Sequence, residues 1–281
     1  MSWLDALILG IVQGLAEYLP VSSSGHLEIC REILHLNLSG ADSLQFDVVL
    51  HVATVLSTIV VLWREFKPLC VSFFTFRNDD NTRYVLKILL SCIPIGIVGV
   101  CFKDQVESFF GVGADGGNNL TLVGVCLCIT ALLLCVAYLS QRRSHTARGE
   151  KALPVGRDIT WADAFIIGCG QAVAVLPGLS RSGTTIATGI TIGDNREQVA
   201  RFSFFMVIIP ILGQMLLDIK DFIGGEAVGE AVGLLPMAVG FLAAFLVGCA
   251  ACRWMINIVK KGKLVWFALY CVIMGVVCIL W

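Results

Sequence analysis

Charge is what this sequence has least of. Only 15% of its 281 residues are Asp, Glu, Lys or Arg, while 57% are hydrophobic, and the mean hydropathy is +0.84. Soluble domains carry about 25% charged residues, so the composition excludes an ordinary water-soluble domain and points to a membrane protein. Positive charge is not in excess either. Lys and Arg number 20 against 21 Asp and Glu, a net charge of −1 that gives no reason to invoke nucleic acid as a partner. No Lys or Arg precedes Arg31, so the start lacks the basic segment of a secretory signal and is expected to belong to the mature protein. Cysteine is plentiful, at 12 residues, but most stand singly in apolar runs, as Cys92, Cys126 and Cys271 do, and behave there as small hydrophobes. Cys249 and Cys252 form a CxxC without the second pair of a zinc site, and are read as packing.

Six stretches are apolar over the roughly 20 residues that a spanning helix needs. They are Leu44–Trp63, Tyr84–Phe102, Leu120–Leu139, Phe202–Ile219, Val232–Ala251 and Leu264–Trp281. Two further apolar regions, 3–36 and 161–193, are each broken near the middle by a Pro, Gly and Ser cluster. Their halves are too short to cross a bilayer and suit the arms of re-entrant hairpins. Basic residues gather in alternate connections, at Arg64 to Arg83, Arg142 to Arg157 and Arg253 to Lys263, and the connections between are acidic. Positive loops stay inside, which places both termini outside.

Each half is then one broken hairpin followed by three spans, and three is odd, so the second half enters from the opposite side. The expected fold is an all-α polytopic membrane protein, an inverted-topology repeat of six transmembrane helices plus two re-entrant helical hairpins. Residues 1–145 form the first copy and 158–281 the second. The hairpins themselves align: "GIVQGLAEYLPVSSSGH" lies on "GCGQAVAVLPGLSRSGT", with twelve residues from Gln13 to Gly25 and from Gln171 to Gly183. Ser22 and Ser24 meet Ser180 and Ser182. The copies differ where Glu17 faces Val175, Ser23 faces Arg181 and His26 faces Thr184.

These differences carry the chemistry. In both copies a turn leads to serines just before a new helical run, where free N–H groups and hydroxyls make an anion site. Arg181 adds a planar fork suited to phosphate oxygens. Gln13 and Glu17, four apart, share a helix face, and their oxygens suit Mg²⁺ or Ca²⁺. Ser23 is a candidate nucleophile and His26 a side chain that titrates near neutrality, a set that spells phosphoryl transfer. Glu17 and Arg181 alone could also be a buried salt bridge stapling the hairpins. Asp47 and His51, four apart, read as a second polar pair with a supporting role. Glu28, Arg31 and Glu32 read as a solvated interfacial face, and His35 and His145 as surface residues.

The two motifs resemble a known family. "QGLAEYLPVSSSGHL" is similar to the (E/Q)xxxE-x-L-P-V-S-S-[ST]-G-H segment, and "LPGLSRSGTTIATGI" to the PGxSRSG-x-T segment, of bacterial undecaprenyl-pyrophosphate phosphatases, the bacitracin-resistance family. "FDVVLHVATVLS" and "ARFSFFMVIIPILG" resemble its intervening helices. The resemblance implies the six-span, two-hairpin fold in the bacterial cytoplasmic membrane, with an active site open to the outer face. It implies removal of the terminal phosphate of undecaprenyl pyrophosphate, a C55 isoprenoid lipid of peptidoglycan synthesis, with a divalent cation, Mg²⁺ or Ca²⁺, as cofactor. Carried over by motif, the functional positions are Gln13, Glu17, Ser22, Ser23, His26, Ser180, Arg181, Ser182 and Thr185. Ser24, Gly25, Gly178, Gly183 and Thr184 lie in the same motifs and are expected beside them as substrate contacts.

Arg181 is expected to clamp the pyrophosphate, and Glu17 to bind the cation, with Gln13, or to orient His26. Ser23 would attack phosphorus with His26 handling the proton; attack by His26 or by water stays open. So do a transporter, for which broken helices in inverted repeats are also the architecture, a membrane scaffold, and the oligomeric state, a homodimer included.

Overall fold

A computed structural model of the chain describes residues 1–36, 38, 40–101, 120–148, 156–176, 178–213, 215 and 232–281. The acidic connections 103–119 and 220–231 and part of the basic stretch Arg142 to Arg157 lie outside them, as does Pro177 of the second turn. Among the described residues the chain is helical, with one isolated bridge between Arg157 and Asp194.

The first broken region forms α1, Trp3–Ala16, and α2, Ser23–Ile33. At 1.5 Å per residue their 14 and 11 residues span about 21 and 17 Å, short of a hydrocarbon core of about 30 Å. Then come α3, Gly40–Val61, α4, Trp63–Phe74, α5, Asp80–Cys101, and α6, Leu120–Arg148. The second broken region forms α7, Trp161–Val173, and α8, Arg181–Thr191, again short. The described chain ends with α9, Arg196–Met206, α10, Leu234–Lys260, and α11, Val265–Leu280.

Both α1 and α7 open on the same local signal. Ser2 Oγ accepts from the Asp5 N–H at 3.2 Å while Asp5 accepts from the Ser2 N–H at 2.8 Å. Thr160 and Asp163 repeat this box at 3.2 and 2.9 Å, satisfying donors that each helix start leaves free. Arg157 ties the second start further, to Asp163 at 2.6 Å and to Asp194, beyond α8, at 3.3 Å.

Among the described residues four helices are long and apolar enough to cross a membrane: Asp42–Val61, Asp80–Gly99, Leu120–Ser140 and Leu234–Lys260. They match four of the six expected spans. The expected span 264–281 is a shorter apolar helix. The expected span 202–219 breaks after Met206, where α9 ends. Pro210 lacks the N–H that would bond the Met206 carbonyl one turn back, and that carbonyl accepts from Cys92 Sγ instead, at 3.6 Å. The chain is helical again from Ile208 to Gly213, and 214 and 216–219 lie outside the described residues. Helix α4 replaces what the charge pattern showed only as a basic connection; Phe74 and Phe76, at its end, are 75% and 93% exposed.

Lipid offers no hydrophobic drive to pack one apolar helix on another, so close backbone approach holds such helices together. A Cβ on Gly10 of α1 would stand 2.4 Å from the Gly240 carbonyl oxygen of α10. A Cβ on Gly168 of α7 would stand 2.3 Å from the Ser91 carbonyl oxygen of α5. The first arm of each short pair is therefore seated on a long helix of the opposite half of the chain, and α6 packs on α11 through Gly124 and Gly275.

Candidate active site

The two turns are built alike. Ser22 caps α2, its Oγ accepting the Gly25 N–H at 3.2 Å, and Ser180 caps α8, accepting the Gly183 N–H at 3.0 Å. Ser22 holds φ +70°, in the region that L residues rarely adopt, the kind of strain that concentrates at functional turns. The turns also interlock. Ser24 Oγ accepts from the Gly178 N–H at 3.4 Å, and Ser182 Oγ donates to the Leu19 carbonyl at 3.1 Å. Gly178 has φ +84° and sits where a Cβ would come within 2.9 Å of Val123 Cα in α6, so no larger residue fits.

Glu17, just past the end of α1, is the hub. Its Oε2 accepts from Gln13 Nε2 at 2.9 Å and from Ser23 Oγ at 2.8 Å. Its Oε1 accepts from Arg181 of the other turn at 2.5 Å. The carboxylate is 6% exposed and the guanidinium side chain 23%. Such a buried charge requires a partner, and here the partner comes from 164 residues away. Tyr18 fixes the turn beneath: its hydroxyl bonds the Thr54 carbonyl at 2.6 Å, Thr58 Oγ1 at 2.9 Å and, more closely, Ser57 Oγ.

In front of the hub is a cavity of about 290 Å³. Ser23, Ser24, Arg181 and His51 form its polar wall, and Val48, Ile95, Val175, Leu179 and Ile211 are among its apolar residues. His51 Nε2 stands 3.7 Å from Glu17 Oε2. Charge, hydroxyls and an imidazole face a greasy wall, a setting suited to a charged head on an apolar chain.

The expected site residues separate into groups. Ser23, Ser24 and Arg181 line the cavity. Ser22, Gly25, Ser180, Gly183 and Thr184 are buried and build the two turns. Thr185, fully buried, bonds Ser203 Oγ at 2.5 Å and the Arg181 carbonyl at 2.9 Å. Ser182 joins the turns, and Gln13 lies buried behind Glu17.

His26 is not brought to Glu17 or Ser23. Its Nδ1–H donates to the Ser22 carbonyl at 2.8 Å, and its Nε2 accepts from the Tyr270 hydroxyl at 2.7 Å, the rings stacking at 5.6 Å. The expectation that Glu17 orients His26 therefore does not hold. Arg31 corrects a second reading. It is buried, not solvated, and pairs with Glu28 at 2.9 Å and closely with Asp47. His51 was visible in the sequence only as the partner of Asp47 one turn away; Tyr270, 244 residues from His26, left no signal at all.

The donor set does not fit a resident cation. Both Glu17 oxygens are engaged, one by Arg181. Gln13 turns its nitrogen toward the carboxylate, leaving Oε1 buried and unpartnered on the far side of the amide. Among the described residues no three His, Cys, Asp or Glu side chains gather to hold a metal. One carboxylate already neutralised by a guanidinium falls short of the hard-oxygen shell of Mg²⁺ or Ca²⁺.

Residues 6–277 match the family described as bacitracin resistance protein BacA. The chain belongs to that family. Its relatives agree along their length. A Bacteroides fragilis protein named undecaprenyl-diphosphatase is 53% identical over 99% of this chain and 98% of its own. Proteins of the same name from Christiangramia forsetii and Methanobrevibacter smithii are 44% and 38% identical, over 100% and 99% of this chain and 98% and 96% of theirs. Both motifs and the hub lie inside the matched residues 6–277.

Proposed function

We propose that this chain is an integral membrane undecaprenyl-diphosphatase, a hydrolase that converts undecaprenyl pyrophosphate to undecaprenyl phosphate and inorganic phosphate and so confers bacitracin resistance. The observation that carries the reading is the Ser23–Glu17–Arg181 cluster at the cavity wall. Arg181 offers charge for the pyrophosphate, and Ser23 a hydroxyl already donating to a carboxylate that can receive its proton. Phosphoryl transfer asks chiefly for such positioning and charge neutralisation. The apolar cavity wall accommodates the start of the isoprenoid chain.

The finer architecture is part of the proposal. Six spans and two re-entrant hairpins as an inverted repeat are supported by the matching capping boxes, the matching serine caps and the reciprocal seating of α1 on α10 and α7 on α5. Loop charge supports the cytoplasmic membrane with both termini outside and a site open to the outer face. The divalent cation, Mg²⁺ or Ca²⁺, would arrive with the pyrophosphate, whose oxygens supply ligands that the described residues do not gather.

The test is phosphate release by the purified protein in detergent, with a long-chain isoprenoid pyrophosphate and no membrane gradient. Wild type is expected to turn over, and Ser23→Ala to lose about 10³-fold or more in kcat. Near-normal turnover by Ser23→Ala would exclude the serine as nucleophile, and silence of the wild type would exclude the phosphatase.

A further inference from the structure

The chain has six tryptophans, and none is buried. Their exposures run from 47% at Trp161 to 72% at Trp281. In soluble folds a tryptophan is mostly covered, whereas at a membrane surface its ring sits in the headgroup layer. Trp3 and Trp281 stand in stretches without positive charge, since no Lys or Arg precedes Arg31 or follows Lys263. The other four stand beside cations. Trp63 adjoins Arg64, Trp254 adjoins Arg253, Trp266 follows Lys263, and Lys87 Nζ lies over the Trp161 ring at 5.8 Å. We propose that α4 and the end of α10 form a docking face for the headgroup of an anionic phospholipid, selected over a zwitterionic one. The inference is separate from the phosphatase reading and needs only that the chain sits in a membrane.

Helix α4 shows the pattern. Trp63, Lys67, Val71 and Phe74 follow at helical spacing on one exposed face, with Arg64 beside them. Across the helix Leu69 and Ser72 are buried, and the Phe66 ring stacks on Phe205 of α9. The outward side of α4 is therefore aromatic along one edge and basic along the other, as in helices that lie against headgroups. Lys67 can bury its stem among the rings while its ammonium reaches a phosphate.

The acids of the region are already engaged. Glu65, on the inward side of α4, is held closely by Arg201 of α9, which also bonds Glu197 at 2.9 Å. Glu197 in turn takes Lys260 of α10 at 2.8 Å, so this chain of charges joins the start of α4 to the end of α10. Past α4, Asp79 accepts from Ser72 Oγ at 2.8 Å and Asp80 pairs with Arg83 at 3.4 Å. Arg64, Lys67, Arg253, Lys261 and Lys263 are exposed, and among the described residues none of the five has an ion-pair partner.

Charge complementarity chooses the occupant. Five cations without acids, set among rings that seek the headgroup layer, attract a headgroup of net negative charge. A zwitterionic headgroup brings a phosphate too, but its own ammonium cancels it. The side of the chain that carries Trp3 and Trp281 has no such cations beside them, so the selection belongs to one membrane surface alone.

The test places the protein in vesicles of equal parts phosphatidylglycerol and phosphatidylcholine, with bromine on the acyl chains of one lipid or of the other, and reads the quenching of tryptophan emission. One Lys or Arg near the surface favours an anionic lipid about fivefold. With Trp3 and Trp281 diluting the signal, quenching is expected to be about two- to threefold stronger when phosphatidylglycerol carries the bromine. The ratio should fall to near one in the variant with Arg64→Gln, Lys67→Gln, Arg253→Gln, Lys261→Gln and Lys263→Gln. It should persist when the same five keep their charge, as Arg64→Lys, Lys67→Arg, Arg253→Lys, Lys261→Arg and Lys263→Arg. Should the glutamine variant not melt cooperatively, wild type in about 1 M salt takes its place, with the same fall expected from screening. Equal quenching by the two lipids in wild type overturns the proposal, as does weak quenching by both, which a second copy of the chain seated on the face would give. A ratio kept by the glutamine variant or in salt, or lost equally in the charge-keeping variant, overturns it as well.

Discussion

Arg181→Ala separates a clamp from a staple. The guanidinium is bonded to a Glu17 carboxylate that is 6% exposed, so its removal leaves a buried charge. Breaking such a pair costs about 3–5 kcal/mol when both groups are fully desolvated. Glu17 keeps the donors of Gln13 and Ser23, and Arg181 is 23% exposed. About 2 kcal/mol is the expected loss, a fall of several degrees in melting temperature for a chain of this size. Glu17→Gln with Arg181→Ala removes the orphaned charge and should recover about half of that. Activity should not follow. An arginine on a transferring phosphoryl group contributes about 10³- to 10⁵-fold, or roughly 4–7 kcal/mol of barrier. The double variant should therefore regain stability and stay inactive. The assay pairs melting in detergent with phosphate release. Turnover by Arg181→Ala within tenfold of wild type refutes the clamp, and activity returning with stability in the double variant refutes it equally.

Other expectations are independent of the chemistry. Gly168→Ala places a Cβ 2.3 Å from the Ser91 carbonyl, so α7 and α5 must separate at a cost of about 1–3 kcal/mol, read as a lower melting temperature, while Gly96→Ala, with nothing within 4 Å, should leave it unchanged or raised. Burial and the neighbouring Asp163 push the Asp194 carboxyl up from 3.8 to about 6. A raised carboxyl stabilises the fold fully below about pH 4 and loses that contribution as pH rises through 6. Asp194→Asn, which mimics the protonated form, should then match wild type near pH 4 and melt higher than it above pH 7; equal melting at both ends would contradict the assignment. Equilibrium dialysis with Ca²⁺ should find no stoichiometric binding to the substrate-free protein, and binding once inorganic pyrophosphate is added. Stoichiometric binding without it, abolished by Glu17→Gln, would restore Glu17 as a ligand.

Much of this organisation is written locally. A turn that must expose N–H groups between short apolar arms requires serines and glycines at fixed spacing, so the two pairs of short helices and their serine-capped turns were legible from Gln13 to Gly25 and from Gln171 to Gly183. Four long helices were legible because about 20 apolar residues leave a chain few alternatives in lipid. The span expected at 202–219 is interrupted at Val207 and resumes at Ile208, a break that apolarity conceals because it comes from Pro210, whose missing N–H leaves the Met206 carbonyl without its helical bond. Arg31 was read as solvated because charge near a helix end usually is, and only the fold brings Asp47 beneath it. The same holds inside the site. Motif position suggested that Ser23 and His26, three apart on one helix, act together. The turn instead spends the His26 ring on its own carbonyl and on Tyr270, and long-range packing carries His51 to the carboxylate.

The reciprocal seating of α1 on α10 and of α7 on α5 has a consequence for how such a protein could arise and be taken apart. Two separate chains, each one half, would clasp each other by the same glycine contacts, because Gly10 on Gly240 and Gly168 on Ser91 both run between halves. Joining them leaves these contacts as they are. It does make the two copies permanently distinguishable, so that one turn can keep the acid and the other the guanidinium without any risk of assembling two of the same kind. Expressed as two pieces, 1–148 and 156–281, the protein should therefore still find itself, and neither piece alone should hold a complete Glu17–Arg181 pair.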